Sequence, residues 1–438
     1  MTFYLGLAIF IFTFYLIVRE RIPGAWAALL GALCMRFFLI INQEELIKAV
    51  ADNLDIIFLL IGMMIIVHIM SETGIFQWVA IKLAQFVRGE PIPLMMLIVC
   101  VTAIFSAFLD NVTTILLIGP VSILLAEQLE IDPIPFLICE AMASNIGGTA
   151  TLIGDPPNIL IASKAGLTFN DFIFHLTPVI LINLAGFLVG VKLILGKKII
   201  VANELKVKIM ELDTSRTIKD KKLLIESLII LFLVLTGFFM HSFIHLEPSF
   251  MALAGAVALT IIAKKDPEEV LKTVEWKTLF FFIGLFIVVE GVVKIGAIKM
   301  IADWALHLTK GSLKMTSMLI LWFSAFISAI VDNIPYTATM IPIIGGNSGL
   351  INSISSQISA TPEVYENIRY ALWWSLSLGA CLGGNGTLVG ASANVVAAGI
   401  AAKSGRKISF MRFTKYGVLV TLQSLIISSI YIWFRYLI

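Results

Sequence analysis

Two apolar stretches of 33 residues, 94–126 and 313–345, each carry an acid and an amide near the middle, Asp110-Asn111 and Asp332-Asn333. A straight helix of that length would reach about 50 Å, against a bilayer hydrocarbon core of about 30 Å. Either each stretch is one long tilted span, or it is a re-entrant hairpin that enters and leaves on one side with its tip at mid-depth. Basic residues separate the two readings, because cytoplasmic loops are enriched in Lys and Arg. With hairpins, 22 of the 31 Lys and Arg fall on one side, in loops 19–23, 73–92, 192–222, 264–277 and 403–415. With two further spans instead, the division is 14 against 17, which is no bias. The hairpin reading places both termini outside and 196–222 in the cytoplasm, in a multi-pass protein of the plasma membrane.

The other apolar runs fit that setting. They fall at about 2–18, 24–41, 55–70, 134–163, 172–195, 223–244, 249–263, 278–293, 367–402 and 409–434. With 59% hydrophobic and 14% charged residues, the chain has more apolar surface than a soluble core of this length could hide. The predicted fold class is an all-α polytopic membrane protein, with the lipid bilayer as its first partner. The run 2–18 lacks a basic n-region and reads as a span, not a cleavable signal. A net charge of +2 gives no ground for a nucleic-acid partner. Cys34, Cys100, Cys139 and Cys381 are scattered singly in apolar runs, with no metal-ligand spacing and no disulfide framework.

The segment 196–222 is the one polar, basic linker. Lys197, Lys198, Lys206, Lys208, Arg216, Lys219, Lys221 and Lys222 stand there against Glu204, Glu211, Asp213 and Asp220. It divides the chain into 1–195 and 223–438, and the two parts match. Gly62 and Gly284, Gly74 and Gly296, Asp110-Asn111 and Asp332-Asn333, and Pro120 and Pro342 are all 222 positions apart. Thr151-Leu152-Ile153-Gly154 and Asn158 match Thr387-Leu388-Val389-Gly390 and Asn394 at 236. Ordered matches of this kind are a signature of secondary transporters. The expected architecture is two inverted repeats, each of five transmembrane helices plus one re-entrant hairpin, with broken helices.

Irregular backbone at bilayer depth is tolerated only inside protein or against a wet cavity. The loop 144–158 cannot be continuous helix, since Gly147-Gly148 and Pro156-Pro157 disrupt it. Half-helix ends offer free N–H and C=O groups, and carbonyls with Asn and Thr oxygens suit sodium. Asp110, Asp332, Glu140 and Asp155 lie in or beside the breaks, and Lys314, at the outer end of one leg, is the one Lys or Arg in either hairpin leg or broken loop. A lone buried carboxylate is costly, so it binds a cation, takes up a proton or pairs. Asp110 and Asp332 could also cap the hairpin tips, Glu140 could face water, and Asp155 could be a turn residue. His68 with Glu72 and Glu290 with Lys294 read as structural i,i+4 pairs. The Gly-rich 383–390 lacks the Lys-Ser/Thr of a phosphate loop. Residues 347–361 read as a mobile exterior loop.

At FSAFLDNVTTILLIGPV, ASNIGGTATLIGDPPNIL, SAIVDNIPYTATMIP and GGNGTLVGASANVV the chain resembles the ion-transporter superfamily. The branch it looks like holds ArsB-type arsenite permeases, NhaD-type sodium/proton antiporters and the melanosomal P protein. Related sodium/dicarboxylate symporters carry Ser-Asn-Thr at the hairpin tips, where this chain has Asp110-Asn111-Val112 and Asp332-Asn333-Ile334. The change from Ser to Asp favours a cation or proton over a carboxylate substrate. The resemblance implies a transport domain of hairpins and broken helices, a scaffold domain, elevator-type motion and often a homodimer. By match, it implies binding by Asp110, Asn111, Thr113, Asn145, Gly148, Thr149, Thr151, Asp155, Asn158, Asp332, Asn333, Thr337, Asn385, Thr387 and Asn394. Proton coupling would fall to Asp110, Asp332, Glu140 and Asp155.

The expected function is transport of a small inorganic solute or ion, driven by protons or sodium, with no other cofactor. Arsenite/antimonite efflux leads on branch resemblance, and sodium/proton antiport is the alternative. A dicarboxylate or anion symporter and a channel are the further readings. An enzyme would need a paired nucleophile and base or a metal cluster, and neither is seen. No nucleotide-binding motif is present, so help from an ATPase would need a partner chain.

Overall fold

The computed structural model describes residues 2–19, 22–196, 201–214 and 217–438, which fold into helices and short connections. Arg21, Lys197, Lys198 and Arg216 of the basic loops lie outside the described residues. The first half opens with α1 (Thr2–Arg19), α2 (Gly24–Phe37), α3 (Gln43–Ala51), α4 (Leu54–Glu72) and α5 (Ile75–Phe86). The first long apolar stretch is two helices, α6 (Pro91–Phe108) and α7 (Asn111–Gln128). They part at Leu109-Asp110, where the backbone turns extended. There the Asp110 carboxylate accepts the Thr113 N–H at 2.9 Å and so caps α7.

Next come α8 (Ile134–Gly148), α9 (Pro156–Ala165), α10 (Phe169–His175), α11 (Thr177–Leu195) and, in the linker, α12 (Asn203–Met210). The second half begins with α13 (Lys221–Ile244), α14 (Pro248–Ile262), α15 (Pro267–Lys272), α16 (Trp276–Lys294) and α17 (Ala297–Thr309). Its long stretch divides into α18 (Leu313–Ser328) and α19 (Asn333–Gly345), and Asp332 caps α19 by accepting the Ile334 N–H at 3.0 Å. The chain ends with α20 (Leu350–Gln357), α21 (Pro362–Gly383), a 3-10 turn (Gly384–Gly386), α22 (Ser392–Lys403) and α23 (Phe410–Tyr436). Among the described residues eight helices are long and apolar enough to cross a bilayer, or nine spans if α17 and α18, bent by 119°, count as one.

The glycine pairs close their helices, as expected. α8 ends at Gly148 and α21 at Gly383, and these residues also admit a second backbone. A Cβ on Gly147 would lie 2.0 Å from the Ala103 carbonyl oxygen, and one on Gly383 would lie 2.4 Å from the Ala325 Cα. The irregular segment is therefore 149–155, and α9 starts at Pro156, where a missing N–H costs nothing. Two expectations are corrected. The stretch 347–361 contains α20. Lys294 pairs not with Glu290 but with Glu45, at 2.6 Å. His68 and Glu72 do meet, at 3.6 Å, though Glu72 also binds Lys265 at 2.6 Å.

The halves exchange packing partners. α4 packs on α14 and α16 packs on α2. A Cβ on Gly62 would fall 2.5 Å from the Ala252 carbonyl carbon, and one on Gly284 would fall 2.5 Å from that of Ala28. Polar contacts then gather the connections into two groups, one at each end of α4. At the Glu72 end, Thr73 O accepts Lys219 N–H (3.0 Å), Gln85 Nε2 donates to Leu212 O (2.9 Å) and Glu90 pairs with Lys206 (2.7 Å), while Asp132 pairs with Arg412 (2.9 Å) at the start of α23. At the Leu54 end, Lys164 Nζ donates to Asp52 O (2.9 Å), Arg369 to Ala165 O, and Asn367 to Tyr436 O (2.9 Å).

Candidate ion-binding site

The four breaks meet. Asp155, just before α9, is fully buried, and each long stretch sends one amide to it. Asn333 Nδ2 lies 3.3 and 3.2 Å from its two carboxylate oxygens, and Asn111 Nδ2 donates to Oδ1 at 3.1 Å. The same Asn111 amide also donates to Asn145 Oδ1 (3.1 Å). Asn145 Nδ2 in turn donates to Asn385 Oδ1 (2.9 Å) and Asn394 Oδ1 (3.1 Å). One chain of amides thus runs from Asp155 on the first half to the 3-10 turn and α22 on the second. Asn111 and Asn333 can point inward because each is the first residue of its helix, directly after the capping Asp.

Asp110 turns to its own helix and Asp332 to α22. Asp110 accepts from Thr113 N–H and Thr113 Oγ1, and Asp332 accepts Ser392 Oγ at 2.7 Å. Both are still close enough for their charge to bear on Asp155. Asp110 and Asp155 therefore lie near each other, and no Lys, Arg or His among the described residues makes an ion pair with either. Charge of that kind at bilayer depth calls for a cation or a proton.

The remaining predicted residues hold the breaks in shape. Asn158 Nδ2 donates to Thr149 O (3.1 Å) and Thr151 O (2.9 Å), and Asn394 Nδ2 to Gly384 O (2.8 Å) and Thr387 O (2.9 Å). Thr149 Oγ1 donates to Asn145 O (2.7 Å), Thr151 Oγ1 to Ala107 O, and Thr387 Oγ1 to Ala329 O (2.5 Å). Gly148 sits against Gly154, where a Cβ would be 2.4 Å from the carbonyl oxygen. Thr337 is buried and its hydroxyl has no partner. Glu140 is buried away from the amide chain.

Sequence reasoning missed several members. Ser377 Oγ donates to Asn158 Oδ1 at 2.6 Å, and the Cys381 thiol lies 3.7 Å from that oxygen. Ser106 Oγ reaches Ser144 O (2.7 Å), and Ser328 Oγ reaches Ala380 O (2.6 Å). The 222-residue spacing of Ser106 and Ser328 was the signal that could have found them. Glu275, just ahead of α16, faces Asp110; burial, with the charge of Asp110, pushes its carboxyl up to about 6. The site is also asymmetric. At the 236-residue spacing Asp155 corresponds to Ala391, so the central carboxylate comes from one half alone.

A family model described as a citrate transporter matches residues 14–362. The chain belongs to that family. It is similar to an uncharacterized transporter of Mycobacterium bovis, 43% identical over 434 residues and covering 98% of each chain. It is also similar to the human P protein, 36% identical over 482 residues, covering 92% of this chain and 56% of that one. Among solved structures, the YdaH transporter of Alcanivorax borkumensis aligns with a TM-score of 0.55 at 13% identity, covering 99% of this chain and 98% of that chain. The superfamily resemblance and the likeness to P protein are borne out. The chain is a membrane transporter, and its relatives are named as transporters, not enzymes.

Proposed function

We propose that this family member is a cation-coupled secondary transporter in which Asp155 binds sodium or a proton. One observation carries the reading: a fully buried carboxylate held only by neutral groups, with one amide from each long stretch. Carboxylate and amide oxygens are ligands for a hard cation. Exchange of sodium for protons is the use this site supports best. The same amide chain would hydrogen-bond an uncharged oxyacid such as arsenite, which keeps metalloid efflux as the second reading. No Lys, Arg or His among the described residues makes a hydrogen bond or ion pair with Asp155 or the amide chain, so a citrate anion would find no direct ion pair there.

The mechanical part of the proposal is two re-entrant hairpins, α6–α7 and α18–α19, in inverted repeats that move against α2, α4, α14 and α16. Its support is that Glu90, before the first hairpin, pairs with the linker helix α12, and Asp132, after it, pairs with the start of α23, whose other end is tied to Asn367 and His175. A cavity of about 230 Å³ lined by Gly24, Lys277, Asp332 and Ser392 leads to the second tip. Another, of about 500 Å³, lined by Asp52, Asp55, Leu152 and Glu247, reaches the loop of the first broken helix. The test is uptake by proteoliposomes of sodium, arsenite and citrate under an imposed pH gradient, wild type beside Asp155→Asn. Gradient-driven sodium flux that the variant abolishes is expected. Wild-type flux from Asp155→Asn, or citrate uptake indifferent to sodium and pH, would remove the assignment.

A further inference from the structure

We propose a second, separate proton site in this protein: the Glu140 carboxyl on α8, which is protonated in this conformation and faces the Ser122 hydroxyl on α7. Both side chains are fully buried. Neither Glu140 oxygen has a hydrogen-bond partner, and neither does the Ser122 hydroxyl, although the two face each other. An ionised carboxylate without a donor or a cation is not tolerated in such surroundings, whereas a neutral acid is.

The charged and titratable groups on the elements around α8 do not relieve it. Cys100 on α6, Glu127 on α7, Lys192 on α11, Cys381 on α21, Lys403 on α22 and Arg412 on α23 make no ion pair or hydrogen bond with Glu140. The nearest titratable group along α8 is the adjacent Cys139 thiol, which lines a cavity on the side of α11 and α23. Glu140 is five residues before Asn145, about 7.5 Å along the helix axis and turned to another side, so it is distinct from the Asp155 chain.

The second half shows that packing does not require an acid here. At the spacings that relate the halves, Glu140 corresponds to Leu376 and Ser122 to Ile344, both fully buried. The same helix contact is made there between α19 and α21 by apolar side chains. An acid and a hydroxyl have replaced a leucine and an isoleucine at one of two equivalent places. The chemistry they add is reversible uptake of one proton by the carboxylate. Release follows when the packing of α7 and α22 on α8 opens to water.

The inference goes beyond the Asp155 reading, and its first test needs no transport. Infrared difference spectra of the full chain in lipid at neutral pH should show a protonated-carboxyl C=O band that Glu140→Gln removes. Ser122→Ala, which leaves the acid in place, should shift it. A spectrum unchanged by both would overturn the assignment. The second test replaces the pair by its counterparts, Glu140→Leu with Ser122→Ile. That variant should fold and melt at least as high as wild type, while sodium flux in proteoliposomes loses its dependence on the imposed pH gradient. If the band is lost but the pH dependence of flux stays wild-type, Glu140 is a fixed acid and not a carrier, and the proposal fails. If wild type itself shows no sodium flux, the Asp155 reading fails while the infrared result still stands.

Discussion

Asp110 and Asn111 are neighbours, but the structure gives them different work, and variants should separate the two. Asn111→Ala and Asn333→Ala each remove a donor to a buried carboxylate, an interaction of about 1.5–3 kcal/mol. Each should weaken sodium binding about tenfold to a hundredfold, measured by calorimetry on the detergent-solubilised protein. Asp110→Asn keeps a good capping side chain, so it should alter affinity far less than Asp155→Asn does. Equal losses from both Asp variants would return the coupling role to the tip acids. Cys381 touches both Asn158 and Asp155, where a serine hydroxyl can still donate, and Cys139 lines a different, apolar cavity, so replacing both by Ser should leave transport largely intact. The pair of acids at the tips was legible in the sequence; which neighbour faces inward was not. The capping carboxylate turns to its own helix, and only the fold reveals that the next residue faces the centre. Asp155 was ambiguous for a similar reason, since an acid before Pro-Pro also suits an ordinary turn.

At the scale of helices, apolar runs and the Asp-Asn breaks marked most elements before any coordinates. The ends of α8 and α21 were legible, since both helices stop at the glycine pairs the sequence marks; that the same glycines admit a neighbouring backbone was not. Gly147→Val tests this use of glycine. Its side chain would meet the Ala103 carbonyl, and overpacking should cost about 1–3 kcal/mol or more. The readout is a lowered melting temperature in detergent, and an unchanged one would mean that α6 and α8 are not tightly docked. α10 and α23 are clamped by His175, whose Nδ1 is 2.5 Å from the Tyr436 hydroxyl and whose ring stacks on Tyr370 and Trp374. Burial and nearby Arg435 hold the His175 ring below its ordinary range, with Asp171 opposing. The unfolded chain then binds more protons than the folded one as pH falls through about 6.5, so stability falls with it. Melting temperature should drop between pH 7 and pH 5, and His175→Gln should flatten that dependence. A steeper slope in the variant would contradict the assignment.

For the molecule as a whole, the decisive question is whether α6 and α7 form a hairpin or two crossings. Charge counting favours the hairpin, and two ion pairs bear on the same question. Glu90 binds the linker helix α12 through Lys206, while Asp132 binds the start of α23 through Arg412. The far end of α23 is tied by Tyr436 to Asn367 and His175, in the group opposite Glu72. On the hairpin reading, the chain that leaves one end at Glu90 is back there by Asp132. Arg88 and Glu130 are both exposed, one on each side of the proposed hairpin, and each can be changed to Cys after the four native cysteines are removed. A membrane-impermeant maleimide applied to intact cells should label neither, while Ser356→Cys on α20 should react. In inside-out vesicles Arg88→Cys, Glu130→Cys and Lys208→Cys on α12 should all react, and Ser356→Cys should not. Labelling of Arg88→Cys and Glu130→Cys from opposite sides would make α6 and α7 separate spans, and the inverted arrangement of the halves would fall with the hairpin.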